Sequence, residues 1–316
     1  MTAGVRISKA GRELWRQNFW RHMLRDKYLV LMALPAVAYF LVFHYYPMYG
    51  MLIAFQDYSP GKGIWGSVWV GFEHFRQFFG GYYFFRLLSN TVIISVLSLL
   101  WGFPLPIIFA LMLNEFREGT FKRTVQTVSY LPHFISLVVT CGMIINFLSP
   151  ANGIINTLIK ALGGSPVNFL GQPQYFRTVY VASGVWQEFG WNSIIYLAAL
   201  SGVDQQLYEA ARIDGAGRWK QMVNITLPSI QTTIIILLIL SVGNIMSVGF
   251  EKIILLYNTS TYETADVIST YVYRMGLQSL QYSFSAAVGM FNSVVNILML
   301  IMANTLSRRL TGSSIW

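Results

Sequence analysis

The sequence predicts an all-α integral membrane protein with six transmembrane helices. Of its 316 residues, 54% are hydrophobic and only 11% are charged, whereas soluble domains carry about 25% charged residues. Six segments are also long and apolar enough to cross about 30 Å of hydrocarbon as helices. Runs such as residues 234–240 are continuously apolar, without the alternation that a transmembrane β-barrel requires.

The predicted spans occupy residues 28–306, which we interpret as one transmembrane domain. They cover residues 28–49, 90–113, 125–148, 178–200, 225–248 and 284–306. A basic segment, 1–27, precedes them, and a short tail, 307–316, follows. Single Cys141 excludes an internal disulfide and a cysteine-based metal cluster, and we predict no metal site.

The distribution of positive charge predicts the orientation. With the N-terminus inside, the inner segments carry 15 Lys and Arg residues and the outer segments carry seven. Cytoplasmic loops of membrane proteins show this excess, so both termini are expected in the cytoplasm. The net charge of +9 therefore reflects topology, and we expect no nucleic-acid partner.

A polar loop, residues 204–224, separates the fourth and fifth predicted spans on the cytoplasmic side. Asp204 is placed to cap a helix that begins one residue later, because a carboxylate accepts from the free N–H groups there. Gly215 supplies the turn that ends this helix. A second short helix carries Trp219, which we expect to be buried. The pattern predicts a protruding helix–turn–helix that docks on another protein, with a solvated connector as the alternative.

The first helix of this loop has features that a simple connector does not need. The small pair Ala210 and Ala211 lets another surface approach the backbone closely. Glu209 and Arg212, three residues apart, are expected to pair on its flank. Asp214 continues the helical spacing of Ala210, and Pro228 falls in the first turn of the next span, where a missing N–H costs least.

The spacing of the loop resembles the EAA motif of permease subunits of binding-protein-dependent ABC importers. The matching positions are Glu209, Ala210, Ala211, Gly215, Ile225, Leu227 and Pro228. The resemblance extends over most of the chain, because residues 71–75 are similar to the loop before the second span of sugar-type permeases.

This resemblance implies the type I ABC importer permease fold in the lipid bilayer of a bacterial plasma (inner) membrane. It implies that the loop is a coupling helix, seated in a separate ATPase through the motif residues and Asp214. The implied partners are a second, similar permease, two ATPases inside and an extracytoplasmic solute-binding protein. Glu209 is expected to make a charged contact with the ATPase.

The sequence lacks the residues that would make this chain an enzyme. It contains no Gly-x-x-x-x-Gly-Lys-Ser/Thr phosphate loop, and its 13 acidic residues form no recognisable catalytic pattern. We therefore expect no cofactor in this chain, with ATP and Mg²⁺ bound by the partner ATPases.

Polar residues in the fourth predicted span indicate a substrate path. Glu188 is the one carboxylate that the predicted boundaries place inside a span. Such a group is costly in lipid, which indicates a role either in the path or at the subunit interface. The candidate path residues are Gln187, Glu188, Trp191, Asn192, Tyr196, Asn244 and Asn292, with Asn296 beside them. Amides and aromatic faces suit sugar rings. The alternative is that each group joins two helices by hydrogen bonds.

The resemblance is greatest to sugar permeases that import oligosaccharides derived from polysaccharides, including aldouronate and alginate systems. An acidic sugar needs cations to receive it. Because no Lys or Arg lies inside the predicted spans, these would come from a partner or from loop residues such as Arg76 and Arg274. The alternatives are a self-sufficient carrier or channel, which predicts internal repeats, and a membrane-embedded enzyme.

Overall fold

The computed structural model describes residues 25–312, 314 and 315. Most of the basic segment predicted at residues 1–27 lies outside the described residues. The described part is largely helical, as predicted. One short antiparallel hairpin pairs Gln56 with Trp69 and Asp57 with Val68, in the segment after the first span.

The first third of the described chain contains two long helices. Their bounds, with those of the short elements between them, are Lys27–Phe40, Leu41–Tyr45 (π), Tyr46–Met48, Tyr49–Phe55 (3-10), Gln56–Asp57 (strand), Gly63–Gly66, Val68–Trp69 (strand), Glu73–Phe79, Phe84–Gly102 and Pro104–Glu115. The prolines after Gly102 do not end the second span, since Phe84–Glu115 is long and apolar enough to cross a membrane as one helix.

The remaining elements surround a long central helix, Pro173–Ser201. The helices before and after it are Thr120–Tyr130, Leu131–Phe134 (3-10), Leu137–Phe147, Ile154–Ala161, Gln205–Ile213, Arg218–Gln221, Met222–Thr226 (π), Leu227–Ser229 and Gln231–Gly243. The last part comprises Phe250–Leu256, Thr259–Thr261 (3-10), Tyr262–Ala265, Ile268–Tyr273, Arg274–Gln278 (π) and Tyr282–Thr311.

Several spans differ from their predicted shapes. Among the described residues, three helices are long and apolar enough to span a membrane, or five if each of two bent pairs counts as one span. The predicted third span is bent by 99° after Phe134, and the predicted fifth by 60° at Ile230. Pro132 contributes to the first break because it lacks a backbone donor. Pro173–Ser201 is long enough to span, but its polar middle makes it less apolar than the others.

The fifth span also ends earlier than predicted, at Gly243 rather than residue 248. The backbone then leaves the helix, and the amide of Met246 donates to Asn296 Oδ1 over 2.9 Å. Asn296 Nδ2 donates to Ser247 Oγ over 2.9 Å. The last span therefore holds the non-helical segment that follows the fifth.

A close crossing fixes the central helix against the broken third span. A Cβ added at Gly190 would collide with the backbone oxygen of Ser129. Glycine therefore allows the two backbones to touch. The central helix also packs on Pro104–Glu115, with Ala110, Tyr196 and Leu200 in one buried cluster.

An ionic network joins the segment after the fifth span to the second span. Arg274 donates to both oxygens of the fully buried Asp266, over 2.7 and 2.6 Å, and Arg86 lies 3.6 Å from the same carboxylate. Burial alone would lower the pKa of the Arg274 guanidinium, but the hydrogen bonds and charge of Asp266 raise it above the usual value. Asn90 joins this network to the second span by donating to the carbonyl of Asp266.

We predict that Gly190→Ala destabilises the protein, because the added methyl group forces the third and fourth spans apart. Overpacking of this kind costs about 1–3 kcal/mol, so the midpoint of thermal unfolding in detergent should fall. Gly142→Ala is the matched control, since a Cβ there meets no atom within 4 Å. An unfolding midpoint for Gly190→Ala equal to that of Gly142→Ala would contradict the predicted crossing.

Candidate functional site

A cavity of about 810 Å³ lies between the second, fourth and fifth spans. Four of the seven predicted path residues line it: Trp191, Asn192, Tyr196 and Asn244. Hydroxyl groups of Ser95, Ser98, Ser241 and Ser247 add further hydrogen-bonding capacity to the wall. The cavity can therefore solvate a polar solute at membrane depth.

A second cavity, of about 540 Å³, adjoins the first. The two share the lining residues Ser98, Gly102, Tyr180, Asn192 and Gly249. Gln187 and Glu188 line the second cavity. The structure thus brings six of the seven predicted path residues to two neighbouring cavities, and Asn292 lines neither.

Of these residues, Gln187 has the hydrogen bonds expected of a helix-joining group, whereas Asn244 bonds within its own helix. Gln187 is buried and donates to the carbonyl of Ile135 over 3.2 Å and to Thr140 Oγ1 over 3.4 Å. Asn244 donates to the carbonyl of Leu240 in its own helix over 3.1 Å. Asn292 differs, because its Oδ1 is buried without a hydrogen-bond partner.

Glu188 belongs to a cluster that sequence reasoning missed. His133 Nδ1 lies 2.9 Å from Glu188 Oε2, and both side chains are partly exposed. The imidazole also stacks on Trp191, with ring centroids 4.4 Å apart and planes inclined by 3°. His133 lies in the broken part of the third span. In the sequence, the neighbouring Pro132 is the one signal that His133 lies where the regular helix is broken.

From the sequence, no Lys or Arg is expected to lie along the candidate substrate path. The structure shows that this prediction is wrong for Lys252. Lys252 was placed in an outer segment, but helix Phe250–Leu256 returns it to the second cavity. Its side chain is buried, and Nζ donates to the carbonyl of Tyr180 over 3.2 Å. Nζ also lies 5.0 Å from the centre of the Tyr180 ring.

The two cations named from the sequence are placed elsewhere. Arg274 is held by Asp266 in the ionic network described above, so its charge is already neutralised. Arg76 is exposed on helix Glu73–Phe79 and lines neither cavity. Among the described residues, no group of three or more His, Cys, Asp or Glu residues is arranged to hold a metal ion.

The polar loop has the local geometry that its sequence indicates. Asp204 Oδ1 accepts from the amide of Gln206 over 2.9 Å and caps helix Gln205–Ile213. Gly215 has φ +73°, a left-handed conformation that favours glycine. The amide of Ala216 donates to the carbonyl of Ala211 over 2.8 Å, which closes the helix end in a Schellman arrangement.

Two predictions about this loop are wrong. Trp219 is 73% exposed, because no other element covers the short second helix. Glu209 and Arg212 form no ion pair, and an exposed pair of this kind would gain little over hydration. Leu207 and Ile213 are exposed as well. The loop therefore presents uncovered apolar groups together with an unpaired carboxylate.

The base of the loop is joined firmly to the fifth span. Tyr208 Oη lies 2.9 Å from Thr226 Oγ1, and Thr226 is buried. Ile225 packs beside the buried cluster of Tyr196 and Leu200. Leu227 and Pro228 lie in the exposed first turn of Leu227–Ser229. The first loop helix is thus in direct contact with the start of the fifth span.

Comparison with known proteins identifies the family. Residues 102–312 match the family described as "Binding-protein-dependent transport system inner membrane component". The chain is 47% identical over 301 residues to the polygalacturonan/rhamnogalacturonan transport system permease protein YteP of Bacillus subtilis strain 168, covering 95% of this chain and 94% of that protein. It is also 47% identical over 285 residues to protein LplB of the same organism, covering 90% of each.

A solved structure has the same architecture. A chain of the bacterial alginate ABC transporter, in complex with alginate pentasaccharide-bound periplasmic protein, matches with a TM-score of 0.87 and 46% identity, covering 94% of this chain and 99% of that one. This match confirms the predicted type I permease fold and the resemblance stated from the loop spacing. The chain belongs to the family of inner membrane components of binding-protein-dependent transport systems and is a multi-pass transport permease.

Proposed function

We propose that this permease forms half of an import path for oligosaccharides that contain uronic acid units. The observation that carries the proposal is the pair of adjoining cavities, whose walls combine amides, hydroxyls and aromatic faces. Such walls match sugar rings, which have apolar C–H faces edged by hydroxyl groups. Support for an acidic cargo comes from the relatives, which are named for polygalacturonan/rhamnogalacturonan and alginate transport.

The proposed assembly contains a second permease in a bacterial inner membrane. Helix Lys27–Phe55 supports this proposal because the apolar residues at its centre are exposed within this chain and need lipid or another protein to cover them. We infer six spans, with Pro173–Ser201 as the fourth and both termini in the cytoplasm. A solute-binding protein would deliver the cargo from outside.

The proposed energy source is a pair of separate ATPases docked on the polar loop. Support comes from the exposed Leu207, Ile213 and Trp219, which form an apolar surface in need of a partner. Glu209 is exposed and has no ion-pair partner among the residues that the structure describes, so it is available for a charged contact. ATP and Mg²⁺ would bind to the ATPases, which fits the absence of a phosphate loop from this sequence. A self-sufficient carrier would not need this loop.

The proposed cargo is tested with the purified transporter in proteoliposomes. Import and ATPase activity should be stimulated by binding protein loaded with trigalacturonate or an alginate trisaccharide. Stimulation should depend on the separate ATPase and disappear without ATP. Stimulation only by amino acids, metal ions or neutral sugars would overturn the proposed cargo.

We predict that Gly215→Val uncouples transport by disconnecting the permease from its ATPase subunits, without preventing membrane insertion. A β-branched residue is strained at φ +73°, so the loop should lose the turn that shapes its docking surface. The measurement is import together with ATPase activity stimulated by loaded binding protein, and both should fall strongly.

Gly217→Val is the matched control for that variant. Gly217 lies two residues away with φ −67°, and a Cβ there meets no atom within 4 Å. Normal import by Gly215→Val, or an equal loss in both variants, would argue against a role for the Gly215 turn in coupling.

We predict that Glu188→Gln slows import several-fold. The substitution keeps the size of the side chain but removes the charge that faces His133 and the second cavity. Glu263→Gln serves as a control, because Glu263 is an exposed carboxylate in the extracytoplasmic segment. Import by Glu188→Gln at an unchanged rate and with unchanged sugar preference would remove Glu188 from the path.

A further inference from the structure

We infer that Lys252 receives the carboxylate of an acidic sugar in the second cavity and thereby selects cargo by charge. This inference rests on the proposed function and assigns one residue to the recognition of a uronic acid unit. It differs from the interpretation of the sequence, which looked for the cation in loops and in partner proteins.

The first argument is that Lys252 is a buried cation with no carboxylate within ion-pair distance among the described residues, although Glu188 on the same cavity wall interacts with it electrostatically. Only 7% of the residue is exposed, and it forms no ion pair with any carboxylate in the described part of the chain. An ammonium group has three donors, of which one reaches the carbonyl of Tyr180. A buried charge is costly unless it is paired and fully hydrogen-bonded, so the site is incomplete as it stands.

Three arginines of the chain differ from Lys252 in the acceptors that they contact. Arg274 and Arg86 share the carboxylate of Asp266. Arg177 donates to Asn90 Oδ1 over 2.8 Å. Each of these guanidinium groups has a side-chain acceptor, although the Nε atoms of Arg86 and Arg177 have none among the described residues, whereas the acceptor of Lys252 is a backbone carbonyl and its other donors lie beside an open space.

The second argument is the position of Lys252 on the cavity wall. It is the one Lys or Arg among the described residues that line either cavity. Its Nζ passes over Gly184 and lies 3.3 Å from the position that a Cβ there would occupy. The absence of a side chain at Gly184 therefore leaves room for the ammonium group against the fourth span.

The third argument is the chemistry around Lys252. Tyr180, Phe189 and Phe250 offer aromatic faces to the C–H surface of a sugar ring. Two carboxylates also line this cavity. Glu188 is directed to His133, and Glu251 is exposed in the first turn of helix Phe250–Leu256. Carboxylates accept from sugar hydroxyls, while Lys252 is the group that can neutralise a uronate.

A purely structural role for Lys252 makes a different prediction. In that case, its bond to the Tyr180 carbonyl would serve to tie helix Phe250–Leu256 to the fourth span. A glutamine at this position keeps a donor for that carbonyl but carries no charge. Lys252→Gln therefore keeps a hydrogen-bond donor for the Tyr180 carbonyl but removes the positive charge, whereas Lys252→Arg keeps both the donor and the charge.

The experiment measures trigalacturonate import by the whole transporter in proteoliposomes at saturating loaded binding protein. Lys252→Gln should lower the import rate roughly tenfold, since a hydrogen bond to a charged group contributes about 1.5–3 kcal/mol. Lys252→Arg should retain most of the rate. Import of the carboxyl-reduced trimer should be unchanged in Lys252→Gln. Lys160→Gln, at an exposed lysine outside both cavities, is the control.

The outcomes separate the inference from the proposed function. Unchanged trigalacturonate import by Lys252→Gln would overturn the inference alone. Equal losses of the acidic and the carboxyl-reduced trimer, or failure of Lys252→Arg to restore import, would assign Lys252 a structural role. A wild-type transporter that imports no uronate oligosaccharide would overturn the proposed function and the inference together.

Discussion

Polar groups at membrane depth must find partners inside the protein, because hydrocarbon offers none. The fourth span carries Gln187, Glu188 and Asn192 in its middle, and the broken third span supplies much of what they need. Its bend frees the carbonyl of Ile135, which accepts from Gln187, and brings His133 to Glu188. A straight third helix would have no free carbonyl to offer, so the break and the polar middle of the fourth span depend on each other.

The same constraint explains why the cavities form where they do. Gly190 holds the third span tightly on one side of the central helix, and the second and fifth spans leave space on another side. The fifth span stops at Gly243, and Asn296 satisfies the amide of Met246 that the helix no longer serves. Non-helical backbone at this depth is tolerated where it lines a cavity. The cavity wall therefore consists mostly of polar groups that already have hydrogen-bond partners within the protein, and a few polar groups remain free to bind a solute.

The sequence predicts features that depend on local chemistry and misses those that depend on tertiary contacts. The cap at Asp204 and the turn at Gly215 follow from residue type and spacing alone, and the family is indicated by the resemblance of the loop to a known motif. His133 and Lys252 could not be found in this way. Hydropathy placed Lys252 outside the spans, since nothing in its neighbours shows that the chain folds back. The exposure of Trp219 was missed because amino-acid type does not reveal which partner covers a surface.

The central claim is that the polar side of the fourth span lines a water-filled path for cargo. Thiol labelling tests it directly, because the chain has a single cysteine, the buried Cys141, which serine can replace. In the assembled transporter, Asn192→Cys should react with a water-soluble maleimide and be protected by trigalacturonate delivered by the binding protein. Ile108→Cys, on an exposed apolar groove outside the two cavities, should not react. An unreactive Asn192→Cys, or labelling that cargo does not change, would contradict the claim.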